Sequence, residues 1–226
     1  MVQRLSNFNC DLPWIDTTES DLFGSNPFSA NPALAVLAMG AVASSARIEA
    51  ELLSLFVQLL GGNSLAADIY LSLEGDGPKK VVIETAAKGM SEPYRDLLGA
   101  ILDITVTNGK ARNKLVHWKW THSPQLPDAV MLEDNKSSLK LRTYRSTEHV
   151  YVYVAKDFED IIAANGRLRE YIIEVGLLAG PYLQNPEGEQ RFRQLCDQPE
   201  IRERFDRRKA RKEQATPKAP EQPPPP

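Results

Sequence analysis

Three stretches of this chain repeat apolar residues at spacings of three and four for so long that only helices can bury them on one side. Leu52, Leu55, Phe56 and Leu59 belong to the first, Tyr94, Leu97, Leu98, Ile101 and Leu102 to the second, and Phe158, Ile161, Ile162, Leu168, Ile172, Val175 and Leu178 to the third. The first follows Asn31, with Pro32 suited to the first helical position, runs through an Ala-rich segment, and ends at Gly61-Gly62-Asn63. The second starts with Ser91 as cap and Pro93 just inside. Asn108-Gly109 lies on its course, so Lys110 to His117 is either its continuation or a separate short helix. The third stops before Gly180-Pro181. Shorter helices are expected from Leu65 to Leu73 and from Lys79 to Lys88, separated by a Gly75-Asp76-Gly77-Pro78 turn.

Four helices joined by short loops predict an up-and-down bundle. After Pro127 the period changes from helical to twofold. Ala129 to Leu132 is a short apolar run, Leu139, Leu141 and Thr143 alternate with polar residues, and Val150, Val152 and Val154 alternate with Tyr151 and Tyr153. The expected fold class is therefore mainly α: a helical bundle, then a small antiparallel β-sheet, then a C-terminal helix. The expected organisation is an extended arm over 1–31, pinned by Phe8, Trp14, Phe23 and Phe28, a bundle over 32–122, sheet plus helix over 123–183, and a charged, Pro-rich, disordered tail over 184–226.

With 226 residues, 42% of them hydrophobic, the chain can bury one substantial core. Its net charge of -3 gives no overall attraction for a polyanion, so contact with nucleic acid has to come from a local basic patch. The tail gathers Arg202, Arg204, Arg207, Arg208, Lys209, Arg211 and Lys212 among Glu200, Glu203, Asp206 and Glu213, a pattern that reads first as a solvated helix. Cys10 and Cys196 stand far apart without ligand spacing, and His117, His122 and His149 are the only histidines, so neither a disulfide framework, a metal site nor a cofactor is expected. The apolar run from Ala33 to Ala43 falls short of the roughly 20 residues a membrane span needs, and a cytoplasmic protein without a membrane segment is expected.

Chemistry is concentrated in Arg112-Asn113-Lys114-Leu115-Val116-His117, an arginine followed directly by asparagine and, five positions on, by histidine, at a helix end. This segment resembles the motif of the HEPN superfamily. The longer run Arg112 to Trp120 is similar to the Arg-Asn-x-Leu-Ala-His-Gly ending of bacterial HEPN-like proteins, with Trp118 standing where glycine is common. Arg142 and His149 meet the same loose spacing, yet they fall in the alternating strand region and Thr143 follows the arginine. The resemblance covers residues 32–122. It implies a HEPN-like bundle that pairs as a homodimer and, in active members, a metal-independent endoribonuclease of toxin–antitoxin, stress or phage-defence systems, with RNA and an antitoxin or regulatory protein as partners. Many members are silent, so the alternative is a dimerisation or regulatory binding module.

Cleavage of RNA by its own 2′-hydroxyl needs a proton acceptor, a proton donor and a stabiliser of phosphate charge, and histidine and arginine supply these. His117 is the candidate acid or base, Arg112 the phosphate fork, and Asn113, four residues from His117 and on the same helix face, its orienting group. Lys110, Lys114, Lys119 and Trp118 are the candidate RNA contacts, with Trp120 and His122 nearby. For the tryptophans, core packing is the competing role. Glu49 or Glu51 is a candidate carboxylate for Arg112 or Lys114.

Overall fold

The computed structural model describes residues 2–8, 27–123, 125–134, 149–179 and 186–215. The described chain is dominated by helix with one small antiparallel sheet, as its periodicities require. In order these are β1 (Gln3–Arg4), α1 (Pro27–Ala30), α2 (Pro32–Leu59), α3 (Ser64–Ser72), α4 (Asp76–Ala86), α5 (Glu92–His117), β2 (Lys119–Thr121), β3 (Ala129–Glu133), β4 (Val150–Val154), α6 (Ala155–Ala179), α7 (Pro186–Cys196) and α8 (Pro199–Ala215). The chain divides into two compact units, Met1–Ala50 with Thr107–Arg169 and Glu51–Val106 with Glu170–Pro226. The first, called here the sheet unit, carries the strands. The second is the helical unit.

Caps explain where the long helices begin and end. Asn31 Oδ1 accepts the Leu34 backbone N–H at 3.1 Å, which satisfies one of the orphan donors at the start of α2. At its other end the Gly62 N–H reaches the Val57 carbonyl and the Gly61 N–H reaches that of Gln58, the paired bonds of a Schellman ending. That ending needs a left-handed residue, and Gly61 has φ 77°. Asn63 Oδ1 then accepts from the Leu65 N–H and opens α3. By length and composition α2 is sufficient to cross a membrane, further than its Ala33–Ala43 run suggests; its Leu34, Ala38 and Ala41 are buried among sheet residues, while Val36 and Met39 are exposed.

In the sheet unit the strand order is β1-β4-β3-β2, all antiparallel, with Val130 opposite Tyr153 and Lys119 opposite Glu133. Alternation along the strands divides the side chains between two faces. Val130, Leu132 and Tyr153 join Leu34, Ala38, Ala41, Leu115 and Phe158. Ala129, Met131, Val150 and Val152 lie on the other face with Leu5, where Phe8 and Leu126 pack against them. No loop separates β4 from α6. The Val154 N–H donates to Asp157 Oδ2 at 3.1 Å, so the helix is capped from within its own first turn.

Of the two alternatives for Lys110 to His117 the structure has the continuation: α5 runs through Asn108-Gly109 without a break, and Asn108 Nδ2 donates to Oδ1 of Asn165, which is 2% exposed. Asn165 Nδ2 donates in turn to the hydroxyls of Ser44 and Ser45, and both hydroxyls donate to the Ala41 carbonyl. The Gly75-Pro78 turn shrinks to Gly75, and helix α4 starts at Asp76. The arm pairs into the sheet through β1, and Phe28 lies 4.9 Å from the Trp120 ring.

The largest correction concerns 184–226, expected to be disordered. Residues Pro186–Cys196 and Pro199–Ala215 are helical, with Leu195 and Ile201 buried and the Phe192 ring 4.7 Å from that of Tyr94. The charges read as solvated include cations that find carboxylates on earlier helices: Arg208 on Asp103 and Glu84, and Lys212 on Glu92 and Asp96. Trp14, Phe23, Cys10, the 139–143 alternation, Arg142, Gly180-Pro181 and the Pro-rich end lie outside the described residues.

Candidate functional site

The last two turns of α5 carry the motif. Leu115, 2% exposed, turns this part of the helix toward the sheet, while Arg112, Asn113, Val116 and His117 around it are all exposed. Lys114 and His117 place basic groups at the partial negative end of the helix. The exit is shaped by two tryptophans. The Trp118 N–H continues the helical bonding to the Lys114 carbonyl at 3.0 Å, and Trp120 Nε1 donates to the Leu115 carbonyl at 2.9 Å. One otherwise orphaned carbonyl of the helix end is thereby satisfied.

Of the residues proposed to contact RNA, the structure brings two together and leaves two on the surface. Lys114 Nζ stands 4.3 Å from the Tyr151 ring centroid and 5.0 Å from that of Trp118, and these rings are 5.3 Å apart. The ammonium and two half-buried rings make one unit that fixes the helix end, with contacts worth about 0.5–1 kcal/mol at such exposure. Lys110 and Lys119 are exposed, and Lys119 is opposite Glu133 across the sheet. Trp120 takes the packing role, between Phe28 and Phe158 at 4.9 and 6.2 Å. His122 is half-buried just past β2.

Asn113 Oδ1 accepts a hydrogen bond from Arg112 Nη1 at 3.0 Å, so the contact shown by the motif amide is with the arginine, where the sequence pairs Asn113 with His117. At 100° per residue His117 is one turn on from Asn113 along the same face and about 140° from Arg112. Glu49 and Glu51 are half-buried on α2. Sequence reasoning missed Tyr151 as a partner of Lys114. Its only signal was the alternation of Tyr151 and Tyr153 with valines, which places both tyrosines on one face. Tyr153 lies deeper, and burial, then the carboxylate of Asp157 and Tyr151, pushes its phenol up to about 12.

In the helical unit a groove of about 510 Å³ runs along α6 and α7, over Tyr171 and Leu195. Arg191 bridges two of its carboxylates, Glu174 at 2.8 Å and Glu187 at 2.9 Å. Among the described residues no group of three or more His, Cys, Asp or Glu is placed to hold a metal ion. Comparison with protein-family models, curated proteins and solved structures found nothing that matches this chain.

Proposed function

We propose that this protein is a HEPN-like, metal-independent endoribonuclease that acts as a cytoplasmic homodimer. The observation that carries the reading is the joint exposure of Arg112, Asn113 and His117 at the end of α5, on a helix end held from below by Leu115 and the Lys114–Trp118–Tyr151 contact. Each chain offers one such histidine. Two copies of the motif facing each other would supply one histidine to take the proton from a 2′-hydroxyl and another to protonate the departing 5′-oxygen. The 2′-oxygen then bonds to phosphorus as the bond from phosphorus to the 5′-oxygen breaks, leaving a 2′,3′-cyclic phosphate and a 5′-hydroxyl. Arg112 would hold the phosphate oxygens through its planar fork, steadied by Asn113, with Lys110 and Lys119 along the backbone. A toxin–antitoxin or phage-defence setting, with an antitoxin or regulatory partner, follows from the HEPN resemblance.

The test is cleavage of a mixed RNA pool by the purified protein in EDTA, with product ends analysed for cyclic phosphate. His117→Ala is expected to lower cleavage by about 10²–10⁴-fold, the usual contribution of a positioned acid or base. A folded, dimeric wild type that leaves RNA intact would replace this reading with a silent dimerisation or regulatory module.

A further inference from the structure

Helix α8 has two halves of different character. In the first, Ile201 is fully buried, the Phe205 ring lies 6.4 Å from that of Phe192, and Glu200 accepts the Tyr171 hydroxyl at 2.9 Å. In the second, every residue from Asp206 to Gln214 is exposed except Arg208. Arg208 Nε donates to Asp103 Oδ2 at 2.8 Å, and its Nη2 donates to Asp103 Oδ1 at 3.2 Å and to Glu84 Oε1 at 2.8 Å. Lys80 bonds Asp103 from the α4 side and stands 3.9 Å from Glu84, so two carboxylates meet two cations. Gly99 makes the room. A Cβ at this buried position of α5 would overlap the guanidinium end of Arg208 and oblige that side chain to move.

We propose that Gly99, Glu84 and Asp103 form a socket selective for a guanidinium, and that the second half of α8 is a strap fastened through it and free to detach while the first half stays docked. The chemistry points to guanidinium because two acceptors of one carboxylate and one of another are met by a single planar fork, which a lysine ammonium does not reproduce. Lys212 adds a second fastening, to Glu92 at 3.0 Å and Asp96 at 2.5 Å. Lifting the strap breaks these polar contacts and leaves Ile201 and Phe205 in place, as local opening at low cost requires.

Amide hydrogen exchange on the full chain tests the strap. In both Arg208→Ala and Gly99→Ala, exchange from Asp206 to Gln214 is expected to rise roughly tenfold or more, with residues 199–205 unchanged. Gly99→Ala adds a better helix former to α5, so its effect separates loss of the socket from loss of folding. Loss of protection along the whole of α8 at once, or no change in its second half, would overturn the strap. Selectivity is read from melting temperature: millimolar methylguanidinium is expected to raise that of Arg208→Ala and to leave Gly99→Ala unmoved. An equal rise with methylammonium, or no rise with methylguanidinium, would overturn the socket.

Discussion

The sheet unit and the last helix of the helical unit are held by opposite means. In the first, Phe158 is fully buried between the rings of Tyr153 and Trp120, and the polar cluster around Asn165 is internal and hydrogen-bonded. In the second, α8 is fastened over its outer half by Arg208 and Lys212 on carboxylates of α4 and α5. The difference teaches that a charged, apolar-poor segment orders when complementary charges wait on a formed surface. Apolar burial responds little to mild acid or to moderate sodium chloride, whereas ion pairs that remain partly exposed respond to both.

The contrast breaks most visibly at Phe158. Phe158→Ala removes a ring with no exposure, and urea denaturation should show a loss of about 3–5 kcal/mol, as for other large-to-small core changes. That loss should be nearly the same in low and high salt. A loss well under this range would mean that the two ring contacts are not the centre of the sheet unit.

Acid should act on the other side of the comparison. Burial works against the charge of Asp103, but hydrogen bonds from Arg208 and Lys80 outweigh it and hold its carboxyl below the usual carboxylate range. A carboxyl lowered on folding stabilises fully above its unfolded value, near 3.9, and that stability is lost as pH falls through the folded value. Wild type should therefore exceed Asp103→Asn in stability at pH 7, and the gap should close as the solution is taken below about pH 4. Urea titrations of both proteins from pH 7 to pH 3 measure it. A gap that stays constant would show that Asp103 acts through packing rather than charge.

This same contrast sets what could be read from the sequence. The long helices were legible because their apolar period persists over many turns and their ends carry Asn31-Pro32, Gly61-Gly62 and Ser91. Strands β1 and β2 were not, since two and three residues are too few to show an alternation. Helix α7, and the docking of the helix α8 that the charge pattern reads as solvated, were hidden for a different reason. Arg208 and Lys212 are answered by Asp103, Glu84, Glu92 and Asp96, more than a hundred residues earlier, and composition in a local window carries no trace of such partners. At the candidate site, the placement of Arg112, Asn113 and His117 at a helix end was legible from periodicity. The Lys114–Tyr151 contact was not, because it depends on which face of β4 meets the helix.

Glycine gives the finest version of the comparison, because two interior helical glycines predict opposite signs. Gly99 makes way for a guanidinium, and filling it should loosen the strap. Gly166, in the middle of α6 in the sheet unit, is exposed, is not in the left-handed region, and has nothing within 4 Å of where a Cβ would stand. It carries the helix cost of glycine with no visible return in space or conformation. Gly166→Ala should therefore stabilise the protein by about 0.5–1 kcal/mol, the difference in helix propensity, read as a higher urea midpoint at unchanged slope. A destabilising Gly166→Ala would mean that close approach at this face, by another part of the chain or by a second copy, requires the missing side chain, and α6 would then join α5 as a helix whose glycine is set by what packs on it.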